Sequence, residues 1–409
     1  MNTLRKDILS LNWNVDKFID LFGQEFELLN GFKTTEQDTV WHAEGDVHIH
    51  TDMVLNEMYQ IITENKFSDS EAFVLILSAL FHDIAKPITT KSIYSDKFNR
   101  TCVIAPNHEK KGMDYLFHKL LNYTNHKNPD FKDFITFEEV IDIVSAVGYH
   151  QTPKKIVSQD FNQFKFADSA RKAKPYLLYY LEVADFKGRY CDDTESQLDY
   201  LELFRSYMED FNYFKGFDKS SLNVDSEYVL HKGFELLKNG DISMMDEAYA
   251  KYFKQKDEHA NLVLLSGLSG VGKSAYIKEH YSSYTIVSLD DIREELTFRE
   301  NQKDPAEIAR VAKDRLKILL AKKENIVFDA TNIRFDLREK ILTLGHNYDA
   351  LNTIIFLADG VDNIIERDKK REYSVGEKVI RKQEYNFQTP DKAETHNVIW
   401  LNSAIKKGS

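Results

Sequence analysis

Two groups of residues in this sequence have the types and spacing of phosphate chemistry. Gly267-Leu268-Ser269-Gly270-Val271-Gly272-Lys273-Ser274 satisfies G-x-x-x-x-G-K-[ST] between an apolar run and a helix-forming segment. Its glycines let backbone N–H groups turn toward phosphates at a helix N-terminus, where the partial positive charge favours anions. Gly267, Ser269, Gly270, Val271, Gly272 and Ala275 are expected to wrap ATP, with Lys273 on the outer phosphates and Ser274 on a Mg²⁺. The second group is histidine-rich: eight of the 13 histidines (42, 48, 50, 82, 108, 118, 126 and 150) fall in the first 150 residues. That density points to metal. His82-Asp83 ends an apolar helix, and although consecutive positions point ~100° apart, imidazole and carboxylate are long enough to meet on one ion. Such N/O ligands suit Mn, Fe, Co, Ni or Zn better than Ca²⁺. Ions there would make a bound water acidic and neutralise a phosphate oxygen. Lys86, one turn after His82, is either further positive charge for the phosphate or a snorkelling surface lysine.

The acceptor side of the nucleotide site is encoded downstream of the loop. "VSLDDIREEL" places Asp290, Asp291 and Arg293 where a strand ends, the edge at which open α/β sheets bind ligands. A carboxylate there can take the proton of an attacking hydroxyl, and Arg293 can hold a substrate phosphate through two bonds. The plain alternative is an acidic helix start. "FDATN" offers Asp329, Thr331 and Asn332 beside the same edge, or a capping turn. Arg367 and Arg371, four apart in "IIERDKKREY", share one face of a helix and suit a lid that stabilises charge on a transferring phosphoryl group. Otherwise they belong to a solvated charge run.

These residues need two scaffolds. At 409 residues and 42% apolar content the chain calls for two cores. The first ~240 residues read as successive helices with no convincing strand; "DSEAFVLILSALFHDIAKP" starts at candidate caps Asp69 and Ser70 and stops at Pro87. From Leu262, the runs "LVLLS", "TIVSL", "NIVFDA", "NTIIFLA" and "NVIWL" alternate with helical stretches, which implies a parallel sheet with crossovers. The expected division is a helical domain over 1–245, a linker helix over 246–260 near the Asn239-Gly240 turn, and an α/β domain over 261–409. Cys102 and Cys191 are the only cysteines, so a reducing cytoplasm is the simplest home. "FVLILSALF" is far short of the ~20 residues that span a bilayer, and the N-terminus carries no export signal. The net charge of −12 argues against coating nucleic acid by bulk electrostatics. The acid excess lies before residue 260, leaving a near-neutral C-terminal part with local basic clusters.

The C-terminal part resembles the 5′-hydroxyl polynucleotide kinases among P-loop phosphotransferases. The resemblance implies that Asp290 is the general base, that Arg293 binds the neighbouring phosphate, that Asp329 lies on the acceptor side, and that Arg367 and Arg371 clasp ATP. "HAEGDVHIHTDMVL", "ALFHDIAKP", "NHEKKG", "VGYHQTP" and "LEVADFKGRY" resemble, in order, the motifs of HD-superfamily phosphohydrolases. On that likeness His50, His82, Asp83 and Asp185 form the metal site, His108 and His150 match a second-metal position, and His42, His48, His118 and His126 are structural. The two-part organisation is similar to the bacterial bifunctional HD-Pnk enzymes, which implies RNA end healing. The helical domain would remove a 2′,3′-cyclic or a terminal 2′- or 3′-phosphate, the kinase would phosphorylate a 5′-OH end of RNA (or DNA), and a ligase would use both. Other readings are an HD nucleotidase fused to a small-metabolite or nucleoside kinase, and an HD nucleotide sensor that gates the kinase. No RNA-recognition motif is present, so sequence-specific binding is not expected.

Overall fold

The computed structural model describes residues 2–124, 128–158, 163–218, 226–252, 258–297 and 305–403. The chain forms two compact units, Met1–Asp218 and Lys219–Ser409. The division falls ahead of the expected 245/246. The Glu227–Asn239 helix belongs to the second unit because its polar side chains are bonded there: His231 Nε2 lies 3.0 Å from Asn397 Oδ1, and Glu235 Oε1 lies 3.1 Å from both His346 and His396. The Asn239-Gly240 turn is therefore internal to that unit, with Gly240 left-handed at φ 76. The following helix is Met245–Tyr252, and 253–257 lie outside the described residues.

The first unit is helical, with one addition that the sequence did not announce. Strands β1 (Lys91–Ser95) and β2 (Arg100–Ile104) pair antiparallel, Lys91 opposite Ile104 and Ser95 opposite Arg100. Both strands are short and mostly exposed, so they lack the apolar alternation that marks a strand in sequence. A distant residue fixes the hairpin instead. Asp38 accepts two bonds from the Arg100 guanidinium, at 2.7 and 2.8 Å, and one from the Val103 N–H at 3.1 Å. The Arg100 contact holds the Asp38 carboxyl down at about 2.

The apolar helix Asp69–Phe81 is capped by Ser68 in a reciprocal box with Glu71, rather than by Asp69 or Ser70. Ser70 instead bonds Glu139 Oε1 at 2.5 Å. The helix ends at Phe81, before Pro87, because His82 takes the C-cap position and its ring Nδ1 sits 2.8 Å from the Ala79 carbonyl. Pro87 lies in the first turn of the next short helix, Lys86–Thr89, where a missing N–H costs nothing. The stretch Asp69–Thr89 has the length and apolar character of a membrane span, but 89% of that window is buried inside the unit. Around it Phe22, Phe26, Phe81, Tyr123 and Phe134 pack with ring centroids 5.0–6.4 Å apart. Each such pair adds about 0.5–1.5 kcal/mol beyond area burial. Both cysteines are free.

The second unit carries the five expected strands: β3 (Asn261–Ser266), β4 (Thr285–Ser288), β5 (Ile326–Asp329), β6 (Leu351–Ala358) and β7 (Asn397–Asn402). They form a parallel sheet in the order β4-β5-β3-β6-β7. The central strand β3 is buried from Leu262 to Ser266, as its unbroken apolar run requires between two helical layers. Because all strands point one way, the loops after Ser266, Ser288, Asp329 and Ala358 gather at one edge. Arg338, 1% exposed, braces that edge: it pairs with Glu394 at 2.7 and 2.9 Å and donates to the carbonyls of Asn332 and Gln388. A buried guanidinium satisfied in this way locks geometry that an unpaired one would disrupt.

Candidate functional sites

Five helices of the first unit converge on one buried centre. His50 comes from the Val47–Glu64 helix, His82 and Asp83 from the end of Asp69–Phe81, and His108 from the start of His108–Leu121. His150 caps Phe137–Tyr149, and Asp185 lies on Pro175–Lys187. The last helix can come this close because Gly188 has no side chain: a Cβ there would lie 2.7 Å from the Val54 backbone nitrogen. His50 Nε2 is 3.1 Å from Asp185 Oδ1 and 3.2 Å from His82 Nε2, and His82 Nε2 is 3.1 Å from Asp83 Oδ2. On its other side Asp83 Oδ1 is 3.2 Å from His108 Nε2. Three triads result among the described residues of this unit: His50–His82–Asp83 and Asp83–His108–His150, which share Asp83, and His42–Glu44–His50 beside them.

The protons on these rings are assigned by their outer partners. Nδ1 of His82, His108 and His150 sits 2.7–2.8 Å from the carbonyl three residues earlier, Ala79, Ala105 and Val147. A carbonyl only accepts, so Nδ1 carries a hydrogen and Nε2 is the nitrogen each ring turns to the centre, the one a metal-ligating imidazole would use. Burial, then the neighbouring His108 and His82, depress His150 to about 3, which leaves it neutral. Burial would also lower His50, but Asp185 and Glu44 on its two nitrogens lift it to about 8. Burial would raise Asp83 and Asp185; His82 and Lys86 outweigh it for the first, and His50 and Arg189 for the second, so both stay far below the usual carboxylate range. Imidazole nitrogens and ionised carboxylates facing inward fit a divalent transition-metal ion, which would replace protons held among them, that of His50 included.

Lys86 is no snorkelling surface residue. It is 8% exposed, with Nζ 2.5 Å from Gln37 Oε1 and 2.7 Å from Asp83 Oδ2. A cleft of about 430 Å³ opens onto the centre past Lys86, His42 and His108, walled by Gln37 and by Val103 and Ile104 of the hairpin. His42, expected to be structural, stands in this cleft wall with its ring 4.7 Å from that of His50 and its Nδ1 2.9 Å from Glu44 Oε1. Glu44 also approaches His50 Nδ1 at 3.0 Å and so orients the ring. Sequence patterns did not mark Glu44, Gln37 or Arg189; Glu44 was legible in principle, inside "HAEGDVHIH". His48 binds Asp16 at 3.0 Å, His118 is buried beside Phe117, and neither joins a metal triad among the described residues; His126 lies outside them. In the second unit Glu235, His346 and His396 form another triad. There the Asn352 N–H donates to His396 Nδ1 at 3.0 Å, so Nε2–H points at Glu235 and leaves that nitrogen no lone pair for an ion.

At the edge of the sheet, Gly267, Gly270 and Gly272 adopt φ of 146, 84 and 112. A Cβ on Gly267 would lie 2.5 Å from the Leu357 carbonyl oxygen, so only glycine fits. Val271 is buried under the turn, and Ser274 and Ala275 open the Lys273–His280 helix. Lys273 Nζ donates to the carbonyls of Gly267 and Leu268 at 3.0 and 3.1 Å. Ser269 exchanges two bonds with the Gln383 side chain, at 2.8 and 2.9 Å. Asp290 is ion-paired to Arg293, and its side chain is 89% exposed. The Asp291 N–H is bonded to Ser288 Oγ at 3.2 Å. Asp329 lies near Lys273, Asp290 and Asp291; burial raises its pKa, as do the two aspartates, against the lysine. The Thr331 carbonyl accepts from the Gly267 N–H at 2.9 Å, and Asn332, left-handed at φ 43, straps Leu265 and Ser266. "FDATN" thus supplies one carboxylate to the edge, and its last residues hold the loop in place.

Arg367 and Arg371 do not share a helix face. The helix Val361–Asp368 ends before Arg371, because Asp368 folds the chain back by accepting from Ser374 Oγ at 2.6 Å and from the Gly376 N–H at 2.9 Å. Arg367 pairs with Asp359 at 2.8 Å, while Arg371, in the turn, contributes positive potential at Lys273. Burial first, with Arg371 adding and Asp329 and Asp290 opposing, brings Lys273 down to about 8. Below that pH the ammonium is charged before nucleotide arrives; above it, binding a polyanion must draw in a proton. The dissociation constant of a fluorescent ATP analogue is therefore expected to rise between about pH 8 and 9.5, with a log–log slope tending toward one. Lys273→Arg, which stays charged, should flatten that rise.

Residues 43–150 match the HD-CE family and residues 262–390 the AAA domain family, so the chain joins an HD-type domain to a P-loop kinase-like domain. Asp185 lies beyond the first match. Among solved structures, the chain is similar to a gluconokinase from Sinorhizobium meliloti 1021, at 15% identity over 36% of this chain and 84% of that one, with a TM-score of 0.28. It is also similar to Kti12 from Chaetomium thermophilum in complex with ADP-AlF3, at 17% identity over 34% of this chain and 88% of that one, with a TM-score of 0.26.

Proposed function

We propose that this chain heals broken RNA ends: the kinase-like domain phosphorylates a 5′-OH end from ATP and Mg²⁺, and the HD-type domain removes a 2′,3′-cyclic or terminal 2′- or 3′-phosphate. The observation that carries the polymer reading is the openness of the acceptor edge. Asp290 and Arg293 stand largely in solvent, with side chains 89% and 55% exposed, where a chain end can reach them. In this reading Asp290 takes the proton of the attacking hydroxyl, and Arg293 swings from Asp290 to the phosphate next to it. Lys273 and Arg371 hold the outer phosphates, Arg367 supports the lid turn, and Ser274 holds the Mg²⁺.

In the HD-type domain, His50, His82, Asp83 and Asp185 would hold one ion, and Asp83, His108 and His150 would hold a second. Such ions supply a water acidic enough to attack phosphorus and neutralise a phosphate oxygen. Lys86, held by Gln37 and Asp83, brings its ammonium to the cleft wall, where it pairs with a phosphate oxygen. Two assays test the proposal: label transfer from ATP to a 5′-OH oligoribonucleotide and to nucleosides, and phosphate release from an oligoribonucleotide ending in a 2′,3′-cyclic phosphate. Transfer to the oligomer and metal-dependent ring opening or phosphate release are expected. Transfer to nucleosides alone would make this a small-molecule kinase, and an HD-type domain inert on every phosphate end would make it a sensor.

A further inference from the structure

The cleft that opens onto the metal centre does not end there. A second pocket of about 410 Å³ adjoins it, and Trp41 and Lys155 belong to the walls of both. None of the metal-site histidines or aspartates lines this second pocket, yet it is built for an anion with a flat ring attached. Lys154, Lys155 and Arg189 supply its cations, and Trp41 and Tyr200, 38% and 40% exposed, supply its ring faces. Two of the cations rest on an aromatic ring: Lys154 Nζ lies 4.7 Å and Arg189 Cζ 4.0 Å from the centroid of Phe186. The carboxylates beside the two lysines, Glu182 and Glu109, do not line this pocket. Lys154 Nζ stands 3.6 Å from Glu182, Lys155 Nζ 3.0 Å from Glu109, and Arg189 Nε is buried with no hydrogen-bond partner among the described residues. The carboxylate in the wall, Asp193, is bonded to Gln197 and Cys191. The chain also places these cations by a simple rule: Lys154 follows His150 by four residues and Arg189 follows Asp185 by four, as Lys86 follows His82. Three of the six candidate ligands are thus followed by a cation four residues further along the chain.

We infer that this pocket is a subsite for the penultimate nucleotide of a single-stranded polynucleotide, with Lys154, Lys155 and Arg189 on its phosphodiester and its base against Trp41 and Tyr200. The inference rests on the proposed function of the HD-type domain and goes further, because it makes that domain prefer a chain end to a free nucleotide. Aromatic platforms beside cationic walls grip single strands with little regard for base identity.

The test compares a 2′,3′-cyclic mononucleotide with the same cyclic phosphate at the end of a ten-nucleotide RNA, in the metal-loaded full-length protein. The expected kcat/KM is at least about tenfold higher on the RNA, given what stacking one base contributes. Tyr200→Ala and Lys154→Ala, which line the second pocket and not the cleft onto the metal centre, should each remove most of that advantage while leaving mononucleotide hydrolysis within about twofold. Kinase activity of each variant, unchanged, verifies that the protein is intact. Equal rates on both substrates in the wild type, or variants that slow both substrates alike, would overturn the subsite. A wild type that opens neither cyclic phosphate would instead overturn the reading of the metal centre itself.

Discussion

Asp83→Asn is expected to abolish phosphate release and metal retention together, leaving transfer from ATP to 5′ ends untouched. Asp83 is the side chain common to two of the triads, with Oδ2 toward His50 and His82 and Oδ1 toward His108. Burial works against its charge, and His82, Lys86 and His108 overcome it, so the carboxylate is ionised across the physiological range. Substituting an amide removes that charge with little change in shape, whereas alanine would also strand the buried Lys86 ammonium and risk the fold. Losing the ions forfeits several kcal/mol of transition-state stabilisation, which is about a thousandfold or more in rate. Elemental analysis and a thermal melt give the physical readout: chelator should lower the melting temperature of the wild type and leave that of the variant unchanged. A variant that keeps its metal and still releases phosphate would show that Asp83 is not the shared ligand.

Much of this centre could be read in sequence because it is made at helix ends, and helix ends have a local grammar. His82 and His150 each follow an apolar helix and bond the carbonyl three residues back, and His108 opens a helix with the same bond. The five strands were legible for a similar reason: buried parallel strands are continuous apolar runs, and their shared polarity dictates where the loops gather. What escaped is held by distant partners. The β1–β2 hairpin depends on Asp38, more than fifty residues before it, and the helix Glu227–Asn239 belongs to the second unit through His346, His396 and Asn397. His42 and Glu44 join the centre because a loop folds back over His50. The turn at Asp368 that separates Arg367 from Arg371 is made by one carboxylate accepting from the chain ahead of it, which helical periodicity cannot anticipate.

Lys273→Ala is expected to cut 5′-phosphorylation by on the order of a hundred- to a thousandfold, as for loss of a preorganised donor at a developing charge, with the HD-type activity preserved. The lysine has two roles here. Its ammonium ties Gly267 and Leu268 into the loop, and it is a half-buried cation whose charge is felt with those of Asp290 and Asp329 at the edge. Removing it takes away the counter-charge for the phosphates and leaves those carboxylates to repel them. Asp290→Ala should match that loss, because Asp290 is the aspartate of its pair that registers at Lys273 and clasps Arg293. Asp291→Ala should retain most activity, since Ser288 holds that residue by its backbone N–H and leaves its side chain out of that clasp. The measurement is steady-state transfer to a 5′-OH oligoribonucleotide beside cyclic-phosphate hydrolysis on the same preparations. If Asp291→Ala is the inactive variant, the general base has been assigned to the wrong carboxylate. If Lys273→Ala also silences phosphate release, the two activities share a single centre rather than one in each unit.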